Sequence, residues 1–501
     1  MTTRNALIAN LREAADRLPW VSSLTFAGSF ARGSALEAVA DIDVVLVVDE
    51  LDAQRFAEAQ QIFAAAAKDP LATAGYSLRI NPTLGPLKFN DLNTAVLHLM
   101  FYTVDSHREH VIRSPFTCLD WQRSELWHKR SLADLYPTFR LRPVHFTGAR
   151  RGPSDYLRDL EAGVVSYREL SFDTIDGLPT EIVRHQAMDS RARHEFAYHV
   201  MRFLMQNLFK LVRRENTPPE GEALSEAYFA IFNTGVYEFA SLFSSLAKRK
   251  RDSLFEPGEP ALLERITAFV HAFAEQFRED FERRAARHVV FRHAPTDLNI
   301  GVDSSVVFQG RTNIPVQEAA WPASGAKHLQ SVLVDLAPAR RFASPLVRTS
   351  GTWSHLASCG PKIETDQRLI EFNYGACEGL TAAEAREIYP DLFFAWSCGA
   401  DPAFPSGGES TRMVKERALA FADEQWSFKQ STATCSHNGV LRCLIGEFAG
   451  VPMKDWFRIQ VPHLLPVTFL ATERFGIFAD WNPEDERKLF TNFGMKAGDT
   501  Q

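Results

Sequence analysis

One set of polar residues in this sequence could carry out chemistry on a phosphate group. Arg292-His293 directly follows the apolar run Val289–Phe291, and Thr296 and Asn299 come shortly after it. A neutral imidazole is a competent nucleophile, and phosphoryl oxygens need fixed positive charge and donors during in-line transfer. Because ligands bind at the carboxyl ends of strands in open α/β sheets, this arrangement predicts a phosphate site.

Further residues downstream suit the same chemistry. Arg311 and Arg348 carry planar guanidinium groups, which meet phosphate bidentately and keep their charge. Glu371 could protonate a leaving oxygen, a step typically worth about 10²–10⁴ in rate, and His437 could supply another donor. The sequence therefore holds a full inventory for phosphoryl transfer through a phosphohistidine.

A second set of residues, near the N-terminus, could hold a nucleotide and a metal ion. The run Leu24–Phe26 ends near Gly28-Ser29, and a later strand begins with Asp41 and Asp43. Carboxylates at i and i+2 on a strand point to the same face, which suits paired oxygen ligands for Mg²⁺. Gly28 lets backbone approach a phosphate closely, and Ser29 adds a hydroxyl donor. A lone Asp-x-Asp is also compatible with the solvated edge of a half-buried strand.

Three regions of different pattern must position these residues, so the fold class is predicted as multidomain α/β. In residues 1–150, the β-type runs Asp41–Val48 and Ala95–Tyr102 and the helix-like stretch Leu51–Lys68 predict a small mixed-sheet domain. Residues 151–287 have helical periodicity, which predicts a helical bundle with Arg184-His185 on a helix surface. Residues 288–501 alternate strands and helices again, which predicts a second α/β domain.

Composition limits the partners and the compartment. The net charge is −7 over 501 residues, so no global basic field favours a nucleic acid or an anionic membrane. The sequence contains no run of about 18 uncharged apolar residues, so no membrane span is predicted. Met1–Trp20 has the pattern of an amphipathic helix and not that of an export signal. Six cysteines without a C-x-x-C pair suit a reducing cytoplasm. A cytoplasmic protein is expected.

The C-terminal motifs, in their order, resemble the histidine phosphatase superfamily with its three-layer, phosphoglycerate mutase-like fold. The resemblance spans roughly His288 to Glu473 and is nearest to the α-ribazole phosphatase branch. It implies hydrolysis of a small phosphorylated metabolite, such as a nucleotide or sugar phosphate, without a cofactor. The implied roles are nucleophile for His293, phosphate contacts for Arg292, Arg348 and His437, proton donor for Glu371, and further pocket positions for Thr296, Asn299 and Arg311.

Some positions depart from that family's usual pattern. Ala294 and Asn438 stand where glycine is usual, and Cys377 stands where an aromatic residue is frequent. None of these changes removes a charged participant. The stretch from Gly379 to His437 is also too short for the substrate-covering insertion of the mutases, so hydrolysis is predicted over intramolecular transfer.

The N-terminal motif resembles the nucleotidyltransferase superfamily of the kanamycin nucleotidyltransferase and polymerase β type, over about Val21 to Tyr102. The resemblance implies Mg²⁺ ligation by Asp41 and Asp43 and triphosphate contacts by Gly28 and Ser29. It also implies transfer of a nucleotidyl group from a nucleoside triphosphate to a small-molecule acceptor, with two metal ions aligning the reaction.

One departure bears on whether this transfer occurs. The family usually has a third carboxylate on a later strand, where this sequence offers His98. Asp91 and Asp105 lie just outside that strand and could substitute if the register differs. Otherwise His98 activates the acceptor, or the domain binds nucleotide without transferring it.

The leading hypothesis is a bifunctional enzyme that combines both activities. The alternative is a phosphatase regulated by a catalytically lapsed nucleotide-binding module. A third possibility is a macromolecular acceptor, protein or RNA, although the net charge argues against RNA.

Overall fold

A computed structural model describes most of the chain. Its description leaves out residues 1, 35–40, 86, 88, 90–92, 139–140, 142–151, 175–176, 213–218, 233–235, 253–260, 300–306, 322, 357–359 and 494–501. The chain divides into two compact units, Met1–Leu208 with Pro218–Phe273, and Phe209–Thr217 with Ala274–Gln501. The finer division at residues 150/151 and 287/288 stays a prediction.

A five-stranded mixed sheet lies in the first unit. Its strands are β1 (Val21–Phe26), β2 (Asp41–Val48), β3 (Ser77–Asn81), β4 (Thr94–Thr103) and β5 (Trp127–Lys129). Their spatial order is β3-β4-β2-β1-β5. Strand β4 is parallel to β2 and β3, whereas β1 is antiparallel to β2 and β5. The predicted mixed sheet is confirmed.

Strand β2 is apolar because both of its faces are buried. Val44 and Leu46 pack in a core with helix α1 (Thr3–Asp16), which was predicted from the N-terminal pattern. Val45 and Val47 lie in a separate core on the opposite face. Asp41 and Asp43 share the alternation of Val45 and Val47, so the sequence places both carboxylates on that second face.

The region up to residue 277 contains further helices, two of them spanning the division between the units. They are α2 (Gly28–Ala31), α3 (Ala53–Thr73), α4 (Val104–Arg113), α5 (Pro115–Gln122), α6 (Leu132–Leu135), α7 (Pro153–Ala162), α8 (Ser190–Val212), α9 (Gly221–Ile231), α10 (Val236–Asp252) and α11 (Leu262–Phe277). The helical periodicity predicted within residues 151–287 is confirmed on α8, where Phe196 and Val200 are buried, and on α11, where Phe269 and Phe273 are buried.

One part of the predicted helical bundle is instead a β-hairpin. Strands β6 (Val164–Phe172) and β7 (Pro179–Ala187) pair antiparallel over their full length. Strand β6 contains two valines and two aromatic residues, and β7 contains Thr180, Ile182 and Val183, which are residue types that favour a pleated strand. Gly177 takes the positive φ of +71° that the connection requires. The prediction of a helical position for His185 was therefore wrong, because this residue lies in β7.

A six-stranded sheet forms the centre of the second unit. Its strands are β8 (Ala286–Arg292), β9 (Arg340–Ala343), β10 (Ile363–Thr365), β11 (Thr432–Ser436), β12 (Val467–Thr472) and β13 (Gly476–Ala479). The order is β10-β9-β11-β8-β12-β13. The first four strands in this order are parallel, and β12 and β13 are antiparallel additions. The three parallel strands β9, β11 and β8 therefore end side by side.

Helices cover both faces of this sheet. They are α12 (Ala323–Leu336), α13 (Val347–Leu356), α14 (Ala382–Ile388), α15 (Pro390–Ser397), α16 (Thr411–Gln425), α17 (Asn438–Ala449) and α18 (Pro483–Leu489). Phe291 of β8 packs with Trp353 of α13 on one face. Phe342 of β9 points to the opposite face and contacts Phe421 of α16, with ring centroids 5.2 Å apart. The predicted three-layer α/β fold is confirmed.

No helix among the described residues combines the length and apolar character needed to cross a lipid bilayer.

Candidate active sites

The carboxyl ends of three parallel strands bring the C-terminal candidates together. His293 follows β8, Ser344 follows β9, and His437 follows β11. The backbone N–H of His293 donates to Ser436 O at 3.1 Å, and that of Ser344 donates to Cys435 O at 3.2 Å. The hydrogen bonds of the sheet therefore fix the backbone positions of these three residues.

Arg348, in the first turn of α13, lies between the two histidines. Its Nε is 3.2 Å from His293 Nε2 and 3.1 Å from His437 Nδ1. Its terminal nitrogens donate to the carbonyl oxygens of Gly310 and Thr312 at 2.8 and 2.7 Å. The guanidinium is thus held in place by backbone on one side and faces both imidazoles on the other.

Hydrogen bonds assign the tautomer of His293. Its Nδ1 donates to the carbonyl of Ala294 at 2.7 Å, which leaves Nε2 with a lone pair facing Arg348. Burial, followed by the charges of His437 and Arg292, holds the pKa of His293 well below its ordinary value. The ring is therefore neutral near pH 7, and Nε2 is the nitrogen that carries the lone pair.

His437 has the opposite arrangement. Its Nε2 donates to Ser344 Oγ at 2.7 Å, while Nδ1 accepts from Arg348. Burial, and next the Arg348 charge, lower its pKa well below the ordinary value. His437 is also the N-cap residue of α17, and the N-terminus of a helix favours a bound anion.

Arg292 supplies a buried positive charge next to this pair. Its Nη1 donates to Val461 O at 3.2 Å. Burial lowers its pKa to about 10, with the nearby Glu371 carboxylate acting in the opposite direction. The guanidinium therefore remains charged near pH 7 and can bind a phosphate oxygen.

Glu371 is fixed by two backbone donors. Phe372 N donates to Oε1 at 2.9 Å and Gly439 N donates to Oε2 at 3.2 Å. A Cβ at position 439 would overlap both Glu371 Oε1 and the Phe372 ring. Glycine is required there so that the first turn of α17 can approach this carboxylate.

The remaining predicted pocket residues fall into two groups. Thr296 Oγ1 donates to Asn299 Oδ1 at 2.9 Å and accepts from Gln309 Nε2 at 3.1 Å, so these three side chains form one network. Arg311 is oriented differently, with its Nη2 3.3 Å from Glu409 Oε2 and 41% of its side chain exposed. Its phosphate contact stays a prediction.

Sequence reasoning missed two residues of this site, Gln309 and His463. His463 Nδ1 donates to the backbone carbonyl of His293 at 2.6 Å, and the ring centroids are 5.4 Å apart. Burial, and next the Arg292 charge, lower its pKa to about 3. No local signal marks His463, because its partner is 170 residues away in the chain.

In the first unit, the structure brings both halves of the N-terminal motif together. Gly28 and Ser29 begin α2, and Gly28 has a positive φ of +65°. A Cβ on Gly28 would overlap Asp43 Oδ2, and Ala27 N donates to Asp43 O at 2.9 Å. The Gly-Ser turn therefore lies directly against the second aspartate.

The predicted register of His98 is confirmed. His98 on β4 lies opposite Asp43 on the neighbouring parallel strand β2. Its Nδ1 is 2.8 Å from Asp43 Oδ1, and its Nε2 is 2.7 Å from Thr83 O. Asp105 lies in the first turn of α4, beyond the strand, and Asp91 lies outside the described residues.

The two aspartates have the donor chemistry that Mg²⁺ prefers. Mg²⁺ is bound in nucleotide sites by one or two carboxylates, with phosphate oxygens and water completing the shell. Across the described parts of the chain, no cluster of three or more His, Cys, Asp or Glu residues is suited to a metal. Asp41 and Asp43 therefore fit a site that the nucleotide itself would complete.

The described residues thus form a pocket of histidines and arginines in one unit and an aspartate-pair motif in the other. Residues 289–482 match the histidine phosphatase superfamily (branch 1), and residues 8–70 match the nucleotidyltransferase domain. The chain thus contains a domain of each family, and its phosphatase domain makes it a hydrolase.

Similar proteins are phosphatases. The glucosyl-3-phosphoglycerate phosphatase of Mycobacterium tuberculosis is 26% identical over 189 residues, 34% of this chain and 79% of that protein. Phosphoserine phosphatase 1 of Hydrogenobacter thermophilus is 27% identical over 119 residues, 23% of this chain and 56% of that protein. The solved α-ribazole phosphatase of Shigella flexneri is 22% identical, with a TM-score of 0.33 over 38% of this chain and 94% of that one.

Proposed function

We propose that the C-terminal domain is a phosphomonoesterase that acts through a phosphohistidine at His293 on a small phosphorylated metabolite. The observation that carries this proposal is the neutral Nε2 of His293 facing the Arg348 guanidinium at 3.2 Å. The relatives named for glucosyl-3-phosphoglycerate and phosphoserine support a small substrate such as a sugar phosphate or a nucleotide.

In the first step, His293 Nε2 attacks phosphorus while the ester oxygen leaves. Glu371, in its protonated form, gives its proton to that oxygen, so the alcohol departs neutral. Arg292, Arg348 and His437 stabilise the phosphoryl oxygens as the P–O bond breaks and the P–N bond forms.

In the second step, water attacks the phosphohistidine. Glu371, now a carboxylate, accepts a proton from that water, and inorganic phosphate leaves as His293 regains its lone pair. Every proton and charge in the cycle is handled by a side chain of the site, so we expect the phosphatase domain to need no cofactor.

The nucleophile is tested with p-nitrophenyl phosphate and a panel of sugar phosphates and nucleotides. We expect His293→Ala to lower kcat/KM by about 10³-fold or more, because the variant lacks the attacking atom. His271→Ala, which removes an exposed histidine on α11, is the matched control. Equal turnover by the two variants would exclude His293 as the nucleophile.

For the N-terminal domain we propose Mg²⁺-dependent transfer of a nucleotidyl group from a nucleoside triphosphate to a small-molecule acceptor. Asp41 and Asp43 would hold the metal, which when bound would align and polarise the α-phosphate. Gly28 and Ser29 would contact the triphosphate. The five described cysteines are free thiols, which supports a cytoplasmic location for this enzyme.

The pairing of His98 with Asp43 favours a second candidate, a nucleotide-binding module that regulates the phosphatase without transferring nucleotide. The two are separated by incubating His293→Ala protein with Mg²⁺, each nucleoside triphosphate and a pooled metabolite extract. Pyrophosphate release that is lost in Asp41→Asn/Asp43→Asn supports transfer. Nucleotide binding without release, together with altered phosphatase kinetics in the wild-type chain, supports regulation.

A further inference from the structure

His98 is bonded in a way that removes it from two possible roles. Its Nδ1 faces Asp43 Oδ1 and its Nε2 faces the Thr83 carbonyl, and the residue is only 7% exposed. An imidazole ligates a metal or accepts a proton through a nitrogen lone pair. Because protein oxygens lie 2.8 and 2.7 Å from its two ring nitrogens, neither nitrogen of His98 is open to a metal ion or to an acceptor hydroxyl.

The same contact restricts Asp43. Its Oδ1 is bonded to His98, and its Oδ2 lies against the backbone of Gly28, where a Cβ would overlap it. Two metal ions held about 3.5–4 Å apart need a larger set of oxygen ligands than one ion does. Strand β4 places His98, and no carboxylate, opposite Asp43, so Asp41 and Asp43 are the only carboxylates that these two described strands offer to both ions.

We infer that the N-terminal site binds its nucleotide with a single divalent cation, and that His98 is the positioning residue that sets this number. The inference rests on the proposed nucleotide-binding function. His98 would hold Asp43 in one orientation toward that cation, in the manner of residues that orient metal ligands from behind.

The metal count is measurable without any turnover. Mn²⁺ replaces Mg²⁺ as a paramagnetic probe, and His293→Ala protein is saturated with α,β-methylene analogues of ATP, GTP, CTP or UTP. Titration followed by the electron paramagnetic resonance signal of unbound Mn²⁺ gives the number of ions per chain. We expect one, counting the ion that arrives with the analogue. A count of two would overturn the inference.

Variants at position 98 test the role of the histidine. We expect His98→Asp, which places a carboxylate opposite Asp43, to raise the count to two, whereas His98→Asn keeps it at one. A count of one in folded His98→Asp protein would overturn the assigned role of His98. If His98→Asp does not fold, the count in the chain that retains His98 still decides the number of ions.

The same titration separates this inference from the function on which it rests. Binding of the analogue with two Mn²⁺ ions contradicts only the single-metal site. Absence of Mn²⁺-dependent binding for all four analogues contradicts the nucleotide-binding function, and the inference falls with it.

Discussion

In the histidine pocket, every ring nitrogen of His293 and His437 has a hydrogen-bond partner. Arg348 donates to a nitrogen of each histidine, and the second nitrogen of each ring donates to Ala294 O or to Ser344 Oγ. These bonds fix both tautomers, and burial keeps both rings neutral by lowering their pKa values. The pocket therefore places a neutral imidazole with a lone pair beside charged guanidinium groups, an arrangement suited to attack on a phosphate ester.

His463 provides a test of whether these hydrogen bonds position the pocket residues. We expect His463→Ala to lower kcat about 2–10-fold with little change in KM, because it removes one hydrogen bond that positions the His293 backbone. His463→Asn should recover most of kcat, since its amide can donate to the same carbonyl. Steady-state kinetics on both variants decide the role. Equal losses in Ala and Asn, or an effect confined to KM, would contradict a positioning role.

The sequence alone is enough to predict the position of a residue that lies at the end of a strand. His293 and His437 directly follow β8 and β11, and Asp41 and Asp43 begin β2, so their neighbours could be inferred from strand order. His463 could not be inferred in this way, because its role depends on a backbone contact between distant segments. Arg311 could be recognised by type, whereas its pairing with Glu409 depends on tertiary packing.

Among the helices and strands, α17 is the one whose sequence is most constrained by the candidate site. Its N-cap is His437, and it contains two glycines that approach other side chains closely. Gly439 lies against Glu371 and Phe372, whereas Gly446 lies against the indole of Trp456. The helix thus needs small residues for two different reasons, one at the site and one in the packing behind it.

These two glycines form a matched pair for mutation. We expect Gly439→Ala to lower kcat by about 10²-fold, because an added Cβ displaces the proton donor by a distance on the order of 1 Å. Gly446→Ala should lower the melting temperature while leaving kcat of the folded protein nearly unchanged. Thermal melts and kinetics on both variants provide the comparison. A similar fall of kcat in both would contradict a specific role for the approach to Glu371.

Strand β8 carries a histidine that makes stability depend on pH. His288 is fully buried, stacks on Trp426 at 5.4 Å, and donates from Nε2 to Ser427 O at 3.1 Å. Burial lowers its pKa to about 4. Because its pKa in the unfolded chain is near 6.5, the unfolded state binds the proton first as pH falls, and stability declines from about pH 6.5 toward pH 4.

The expected loss from His288 alone is about 2 kcal/mol between pH 7 and pH 5. Urea unfolding at both pH values, compared between the wild-type chain and His288→Gln, measures it. The variant should lose less stability on acidification by about that amount. The same pH dependence in both proteins would show that His288 titrates normally in the folded state.

For the whole molecule, each of the two compact units carries one candidate site, the aspartate pair in the first and the histidine pocket in the second. The histidine pocket uses residues between Arg292 and His463, and the aspartate pair uses residues between Gly28 and His98. The fold classes of both regions could be predicted because their apolar periodicities are strong. The β6–β7 hairpin could not, since most of its residues are partly or fully exposed and it lies in a segment of helical periodicity.

Because the aspartate pair and the histidine pocket use different residues, we expect that each activity can be removed without the other. We expect Asp41→Asn/Asp43→Asn to abolish pyrophosphate release while phosphatase kcat/KM stays within about 2-fold of wild type. His293→Ala should have the opposite profile. Both assays on both variants provide the test. Loss of both activities in either folded variant would contradict independent sites, and nucleotide-dependent phosphatase kinetics would favour the regulatory function.

The most direct test of the central claim is a rapid-quench measurement on Glu371→Gln with p-nitrophenyl phosphate. This leaving group departs without a proton, so His293 should still be phosphorylated, whereas hydrolysis lacks its base. We predict a burst of one p-nitrophenol per enzyme, with the phosphate located on His293 by mass spectrometry under neutral conditions. No burst, or phosphate on another residue, would contradict catalysis through a phosphohistidine at His293.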